Sequence, residues 1–247
     1  MAQVISKSDH LNRQYRNQVR LFWGLTGGCA GAIALWLLYL FWASSHNLWV
    51  VICIPALFFP LIMQIKHAYD KMGVLAAGLR GEKDTLKALK ALDDEYWIFS
   101  NLTATYKGGH SELDLVVLGP SGLYVVESKQ LSGKITGNYA DKKWLREKTS
   151  RAGVSYPEKI YSPIKQVGTH VYRLANQLRE NGFSIHVSSA VYFPHPDARV
   201  RLQGEIADTP VFSGDGGQKA LLQYLRKSSH PLTAIEVQHI AQFLCEM

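Results

Sequence analysis

The chain opens with two uncharged apolar runs. Residues 21–43 read LFWGLTGGCAGAIALWLLYLFWA and residues 48–65 read LWVVICIPALFFPLIMQI. Each is long enough to cross a hydrocarbon core, which takes about 20 apolar residues in a helix. Only Ser44, Ser45, His46 and Asn47 separate them, so two spans here form a tight hairpin. A bilayer leaves no water for backbone groups, so both spans are expected as helices. Trp42 and Trp49 flank the turn, where interfacial aromatics sit. A cleaved signal peptide is the competing reading, but the first run is long for one and a second follows at once. A buried hairpin of a soluble protein is another, though such helices normally carry a polar face. Gly24 with Gly28, and Gly27 with Gly31, lie four residues apart on the first span. That spacing admits a close helix neighbour, either the tethered second span or a second copy in a homodimer.

Beyond residue 65 the pattern turns into alternating helices and strands. No strong breaker interrupts residues 66–80, so the second helix is expected to run on. Leu79, Leu86, Leu89 and Leu92 keep helical spacing over Arg80–Leu92. Strands follow at 96–103, 112–118 and 123–129, with Lys107–His110 as a loop and Gly119-Pro120-Ser121-Gly122 as a short hairpin turn. Short strands are expected near Lys134 and Trp144. Pro163 opens a long helix to about Glu180, stopped by Asn181 and Gly182. A strand at 185–193, a short one at Val211-Phe212 and helices at 217–227 and 233–245 complete the chain. No repeat or low-complexity tract interrupts it. The expected organisation is a basic N-terminus (1–20), a two-span hairpin (21–65), a juxtamembrane helix (66–79) and one α/β domain (80–247).

Composition narrows the class. The 247 residues are 47% apolar and 19% charged, which excludes a disordered or collagen-like chain. Cys29, Cys53 and Cys245 are too scattered for a disulfide scaffold or a Cys-x-x-Cys zinc site. Lys7, Arg13, Arg16 and Arg20 precede the first run, Lys66, Lys71, Arg80 and Lys83 follow the second, and the turn has no Lys or Arg. The positive-inside rule then puts both termini in the cytoplasm, making a multi-pass protein of the inner (cytoplasmic) membrane.

The formal charge of +7 is unevenly spread. Residues 129–165 hold nine basic side chains against Asp141, Glu147 and Glu158. Lys134, Lys142, Lys143, Arg146, Lys148 and Arg151 are the candidates for contact with a polyanion. Tyr139, Trp144, Tyr156 and Tyr161 are interleaved with them. Three readings stand: phosphates and bases of nucleic acid, an anionic lipid bilayer, or an ordinary solvated surface.

The candidate chemistry lies on two neighbouring strands. Alternation puts Glu112 and Asp114 on one strand face, and Glu127 with Lys129 on one face of the next. The hairpin brings Asp114 within reach of Glu127 amid Leu113, Leu115, Val116, Val117, Val125 and Val126. Buried carboxylates need a partner. Lys129 supplies one as a sheet-end ion pair, and a hard divalent cation such as Mg²⁺ is the other candidate. His110 reads as a solvated loop histidine, and His170, His186 and His195 share no zinc-like spacing.

Gly81-Glu82 opening a helix, Glu112-Leu113-Asp114 running into LVVLGPSGLYVVESK, then Gly133, Trp144 and Ser162-Pro163 with Gln166, resemble the nuclease-related domain, NERD, of the PD-(D/E)xK nuclease superfamily. The resemblance spans about residues 78–245, and Asp114 through Lys129 is its specific part. Two positions depart from the family pattern: Glu112 where Gln is common, and Ser162 where Asn precedes the proline. The resemblance implies an α/β, restriction-endonuclease-like core of helix, three-stranded meander, helix and strand, here preceded by a transmembrane helical hairpin. It also implies a phosphodiesterase dependent on Mg²⁺ or Mn²⁺ that cuts nucleic acid, DNA rather than RNA. Asp114, Glu127 and the Ser128 main-chain carbonyl would then hold the metal. Lys129 would orient water or steady the transition state, and Glu82 and Gln166 would support them. Two other functions fit the same residues: a nucleic-acid-binding module with little or no turnover, and a membrane scaffold recruiting partners.

Overall fold

The computed structural model describes residues 2–6, 10–42, 48–149, 153–205, 208–227 and 230–247, with side chains except at 48–55, 57 and 149. The chain divides into two compact units, His10–Leu79 and an α/β unit made of Met1–Asp9 with Arg80–Met247.

The first unit is built on helix α1 (His10–Trp42) and the larger part of helix α2 (Leu48–Leu89). Helix α1 is long and apolar enough to cross a membrane, and only 6% of its most apolar stretch is buried. A core helix of a soluble protein would be mostly buried. The other expected span, 48–65, falls at the start of α2, where most side chains through 57 lie outside the described residues. So do Ser44–Asn47 and the Trp49 side chain. Phe22 of α1 stands 6.0 Å from Tyr69 of α2, ring centre to ring centre. A Cβ on Gly78 of α2 would sit 3.4 Å from Leu11 of α1. The glycine stripe does not serve this contact: a Cβ at Gly24, Gly27, Gly28 or Gly31 would meet nothing within 4 Å. Among the described residues the stripe therefore meets nothing of the tethered second helix, contrary to that expectation. Phe22 lies on a different face of α1 from the glycines.

The second unit holds two sheets. Strands β1 (Gln3–Ser6), β2 (Trp97–Tyr106), β3 (Gly109–Gly119), β4 (Gly122–Ser128), β8 (Val187–Phe193) and β10 (Val211–Ser213) form a six-stranded sheet in the order β1-β2-β3-β4-β8-β10. Strands β5 (Gly133–Asn138), β6 (Lys143–Thr149), β7 (Ser155–Tyr161) and β9 (Ala198–Gln203) form a second sheet, ordered β7-β6-β5-β9. Helices α3 (Pro163–Glu180), α4 (Gly217–Arg226) and α5 (Ala234–Glu246) complete the unit. The end of α2, the meander β2-β3-β4, α3 and β8 reproduce the expected order of helix, three strands, helix and strand, with β5-β6-β7 inserted after the meander. This mixed α/β fold is consistent with a nuclease-like domain.

Three elements differ from the sequence reading. Residues 3–6 are not part of a tail but an edge strand, parallel to β2 in the register Gln3↔Trp97 to Ser6↔Ser100. Strands β7 and β9 are additional. Strand β9 alternates exposed polar and buried or half-buried apolar residues over a short length, whereas β7 is largely exposed and carries Pro157, which fits its place at a sheet edge.

Burial explains the long apolar runs of β3 and β4. The six-stranded sheet is covered on both faces, so these strands lose the polar alternation of a half-exposed sheet. On one face Val116, Leu118, Leu123, Val125 and Val191 pack with Val167, Leu174 and Leu178 of α3 and Ile240 and Leu244 of α5. On the other, Ile98, Leu115, Val117, Tyr124 and Val126 pack with Ala88 and Leu89 of α2 and Leu221 and Leu225 of α4. Trp144, 1% exposed, carries the inner face of the four-stranded sheet into the first of these clusters.

Candidate functional site

Side chains alternate regularly along β3 until Asp114. Leu113 packs on the α3 side, yet Leu115, of the same parity, packs on the α2 side. Strand β2 changes face at the matching place. Its register with β3 pairs Ser100 with Leu115 and Leu102 with Leu113, leaving Asn101 opposite Asp114. Asn101 adopts φ +55°, a left-handed conformation that L residues other than glycine rarely take. Such strain persists where the surroundings hold it, and it clusters at functional sites. The paired irregularity turns Asn101 toward α2: its side-chain amide donates to Glu82 Oε2 at 3.5 Å.

Asp114 lies across from Glu127, since the β3–β4 register pairs Leu115 with Val126 just before β4 ends. Here the two strands part, and the Asp114 carboxylate accepts the Ser128 N–H at 2.9 Å. The Ser128 hydroxyl points the other way and meets Thr85 Oγ1 of α2 at 2.7 Å, while Thr85 donates to Gly81 O at 2.8 Å. A Cβ on Gly81 would lie 2.7 Å from Gln130 Cβ, so only glycine lets α2 come this close to the segment after Lys129.

Glu127 is 1% exposed. Its Oε1 is 2.7 Å from Lys129 Nζ, and its Oε2 is 3.3 Å from His170 Nε2. These distances are short, but neither Glu127 oxygen and neither His170 nitrogen has a well-aligned hydrogen bond. His170 is the site residue that sequence reasoning missed. Its signal was local: Gln166 and His170 are four apart on α3, hence on one helix face. Gln166 is half-buried one turn before His170.

Electrostatics separate the two carboxylates. Burial pushes the Asp114 carboxyl from its ordinary 3.8 up to about 7, and the Glu127 charge adds to the rise against the pull of Lys129 and the Ser128 N–H. Burial acts on Glu127 in the same direction, but His170 and Lys129 outweigh it and hold this carboxyl below its usual range. Burial also raises Glu82, with Glu112 adding repulsion and the Asn101 amide opposing both. Two mutually repelling carboxylates, one buried with both oxygens unaligned and one half-buried, suit a cation. Among the described residues no cluster of three or more His, Cys, Asp or Glu converges on a metal position. A cage made wholly of side chains is thus absent there, but Mg²⁺ typically takes only one or two carboxylates and fills its shell with water and phosphate. The pair Asp114 and Glu127 fits that mode.

The basic candidates separate by sheet face. Arg146 is turned inward: it donates to Ser132 O at 2.8 Å and Ser132 Oγ at 3.2 Å, and pairs with Glu158 at 3.1 Å. Lys148 shares its face, 3.8 Å from Glu158 and over the Tyr156 ring. Lys134 and Lys143 point outward, Lys142 is exposed in the turn before β6, and Arg151 lies outside the described residues.

Buried carboxylates and a lysine at the C-terminal end of a central strand, braced by helices on both faces, define a mixed α/β domain with a polar site at a strand end. Residues 77–194 match the family model of the nuclease-related domain, NERD, and the match supports that family for this domain. Every site residue from Glu82 to His170 lies inside it. No curated protein and no solved structure matches the chain.

Proposed function

We propose that this protein is a membrane-anchored nuclease that hydrolyses phosphodiester bonds, in DNA rather than RNA, with Mg²⁺ or Mn²⁺. The observation that carries the reading is the half-buried Asp114 opposed to the buried Glu127, with Lys129 2.7 Å from Glu127. Asp114, Glu127 and the Ser128 carbonyl would hold the ion, which when bound lowers the pKa of water and offsets charge on the phosphoryl oxygens. His170 and Lys129 keep Glu127 ionised and oriented. Lys129, a quarter exposed, reaches both Glu127 and the opening, where it can meet charge developing on a phosphate. Gln166, on the His170 face of α3, would contact the backbone beside the scissile bond. Glu82, tied to Asn101, steadies the Asp114 side of the site.

The anchor reading draws on α1, which is apolar and little buried, and on α1–α2 contacts at Leu11–Gly78 and Phe22–Tyr69. Contacts that pair rising numbers on one helix with falling numbers on the other suit an antiparallel hairpin with both chain ends in the cytoplasm. The outward glycine stripe leaves room for a homodimer through α1.

The test is incubation of the full chain in neutral detergent with supercoiled, linear and single-stranded DNA and with RNA, in Mg²⁺, Mn²⁺ or EDTA. Metal-dependent cleavage that disappears in Glu127→Ala and Lys129→Ala is the expected result. Folded wild-type protein that cuts none of these substrates refutes it. One observation favours a second reading: the short Lys129–Glu127 pair occupies an oxygen a metal would need. A domain that kept this pair closed would bind nucleic acid without cutting it.

A further inference from the structure

The outer face of the four-stranded sheet belongs neither to the core nor to the carboxylate site. Alternation along its strands puts Lys134, Lys143, Lys159, Arg199, Arg201 and Tyr161 on this face, all exposed. Their in-strand neighbours Ile135, Trp144, Ile160, Val200 and Leu202 face the core. Part of the charge is spent locally. Lys134 pairs with Glu147 at 3.2 Å, and Arg199 donates to Pro196 O at 2.7 Å. Among the described residues Lys143, Lys159 and Arg201 form no ion pair, and they remain a cationic group on a folded sheet.

The face is also concave. A depression of about 450 Å³ is lined by Lys143 and Arg201 together with Thr136, Asn138, Leu145 and Gln203, with Asp141 among its walls. Two cations, two amides and a hydroxyl, with two leucines and one acid, around a shallow trough suit a chain of phosphates with sugars between them. Tyr161, 53% exposed and paired in register with Lys143, adds an aromatic surface beside the trough.

Topology ties this face to the site. Strands β4 and β8 are parallel and paired through Ser128↔Tyr192, and both lead directly into the second sheet, where β5 and β9 pair through Gly133↔Ala198. From Ser128 to Gly133 the chain covers at most about 18 Å. The trough lies three to five residues further along β5 and β9, about 10–17 Å more, so a polymer held at the carboxylate site and crossing this sheet would span at most roughly 35 Å, a reach that a lipid headgroup does not have.

We propose that the outer face of the four-stranded sheet holds the phosphodiester backbone of a nucleic acid whose scissile bond lies at Asp114 and Glu127. The proposal rests on the nuclease reading for the identity of the polyanion. It replaces Arg146, which is withdrawn into the sheet, and Lys148, which lies on the opposite sheet face beside Glu158, with Lys159 and Arg201 as backbone contacts.

The test measures binding by the full chain in neutral detergent of a fluorescent 30-nucleotide single strand and of its duplex, in EDTA, across a salt series. The variant Lys143→Gln/Lys159→Gln/Arg201→Gln is expected to bind at least tenfold more weakly at low salt. Its slope of log affinity against log salt should flatten by about 2, as the loss of three phosphate contacts requires. Lys148→Gln should stay within twofold of wild type. Unchanged affinity and slope in a triple variant with wild-type circular dichroism and melting overturn the proposal. So does wild-type protein that binds neither probe. A loss confined to micelles doped with phosphatidylglycerol assigns the face to lipid instead. Binding through the face without any metal-dependent cleavage would sink the nuclease reading and leave this surface standing. Cleavage with a fully active triple variant would do the reverse.

Discussion

The two sheets of the α/β unit handle charge in opposite ways. The six-stranded sheet is covered on both faces, and Asp114 and Glu127 meet where β3 and β4 part, partly or wholly withdrawn from water, so each answers to its neighbours. Asp114 is driven up to about 7 there while Glu127, one strand away, is held low. The four-stranded sheet has one face in the core and one in solvent, and the lysines and arginines of its outer face sit at ordinary exposed positions. Burial makes a charge chemically distinctive at high cost in folding energy, whereas exposure makes it cheap and useful only in numbers. The first arrangement suits bond chemistry and the second suits long-range attraction.

Asp114→Asn tests this contrast where the effect is largest. The amide removes one charged oxygen ligand, so cleavage should fall by about 10³-fold or more if Asp114 holds the metal. Stability should move the other way. The folded carboxyl titrates near 7 and the unfolded one near 3.8, so the folded state binds the proton more tightly. Wild-type stability is therefore fully present below about pH 4 and is lost as the pH rises through 7. Asparagine has no proton to lose and can still accept the Ser128 N–H. In EDTA the variant should melt several degrees above wild type at pH 8, on the order of a few kcal/mol, and with little difference at pH 4. Equal melting at both pH values would remove the buried-charge account of the site.

Gly81→Ala comes next and probes the packing that brings α2 to the site. Alanine favours a helix interior by about 1 kcal/mol, but its Cβ would stand 2.7 Å from Gln130 Cβ, close to the backbone rather than at a flexible tip. The clash should win, with a net loss of roughly 1–3 kcal/mol by denaturant melting. Because Gln130 follows Lys129, cleavage should drop more than stability explains. A stabilised variant with full activity would show that the close approach is unnecessary.

Much of this frame was legible in the sequence. Long apolar runs, the Gly119–Gly122 turn and Pro163 marked the meander and α3, and the Asp114 to Lys129 stretch marked the candidate site. What escaped depended on tertiary context. Gln3–Ser6 is too short and polar to read as a strand, and it is ordered through pairing with β2. Asn101 looks unremarkable in a run of strand residues, and its φ of +55° follows from the irregularity it shares with Asp114. His170 has no metal-like spacing in the chain, and only the packing of α3 on β4 brings it to Glu127. The basic stretch was read as one group because charge counting ignores the faces of a strand.

That last point leads to Arg146, which sharpens the comparison inside the second sheet. Its side chain is 12% exposed and holds the Ser132 carbonyl and Glu158, bracing the segment between Lys129 and β5. Arg146→Ala leaves these acceptors unpaired and should cost about 1–3 kcal/mol. Nucleic-acid affinity of the folded variant should fall no more than about twofold, as for a single distant charge. Unaltered melting with a tenfold loss of binding would reverse the assignment and make Arg146 a contact.

Lys159→Ala gives the smallest expected effect, and it is the cleanest check on the solvated face. Lys159 is exposed and forms no ion pair among the described residues, and its in-strand neighbour Ile160 supplies the packing. Deleting a solvated side chain away from caps, cavities and networks normally changes stability by less than about 0.5 kcal/mol. The melting temperature should therefore match wild type at pH 4 and at pH 8, in contrast to Asp114→Asn. If instead it rises at low salt and the gain fades as salt is added, repulsion among Lys143, Lys159 and Arg201 is strong enough to strain the sheet. The outer face would then resemble the buried site more than the present contrast allows, with its charges close enough to act on one phosphate rather than along a chain of them.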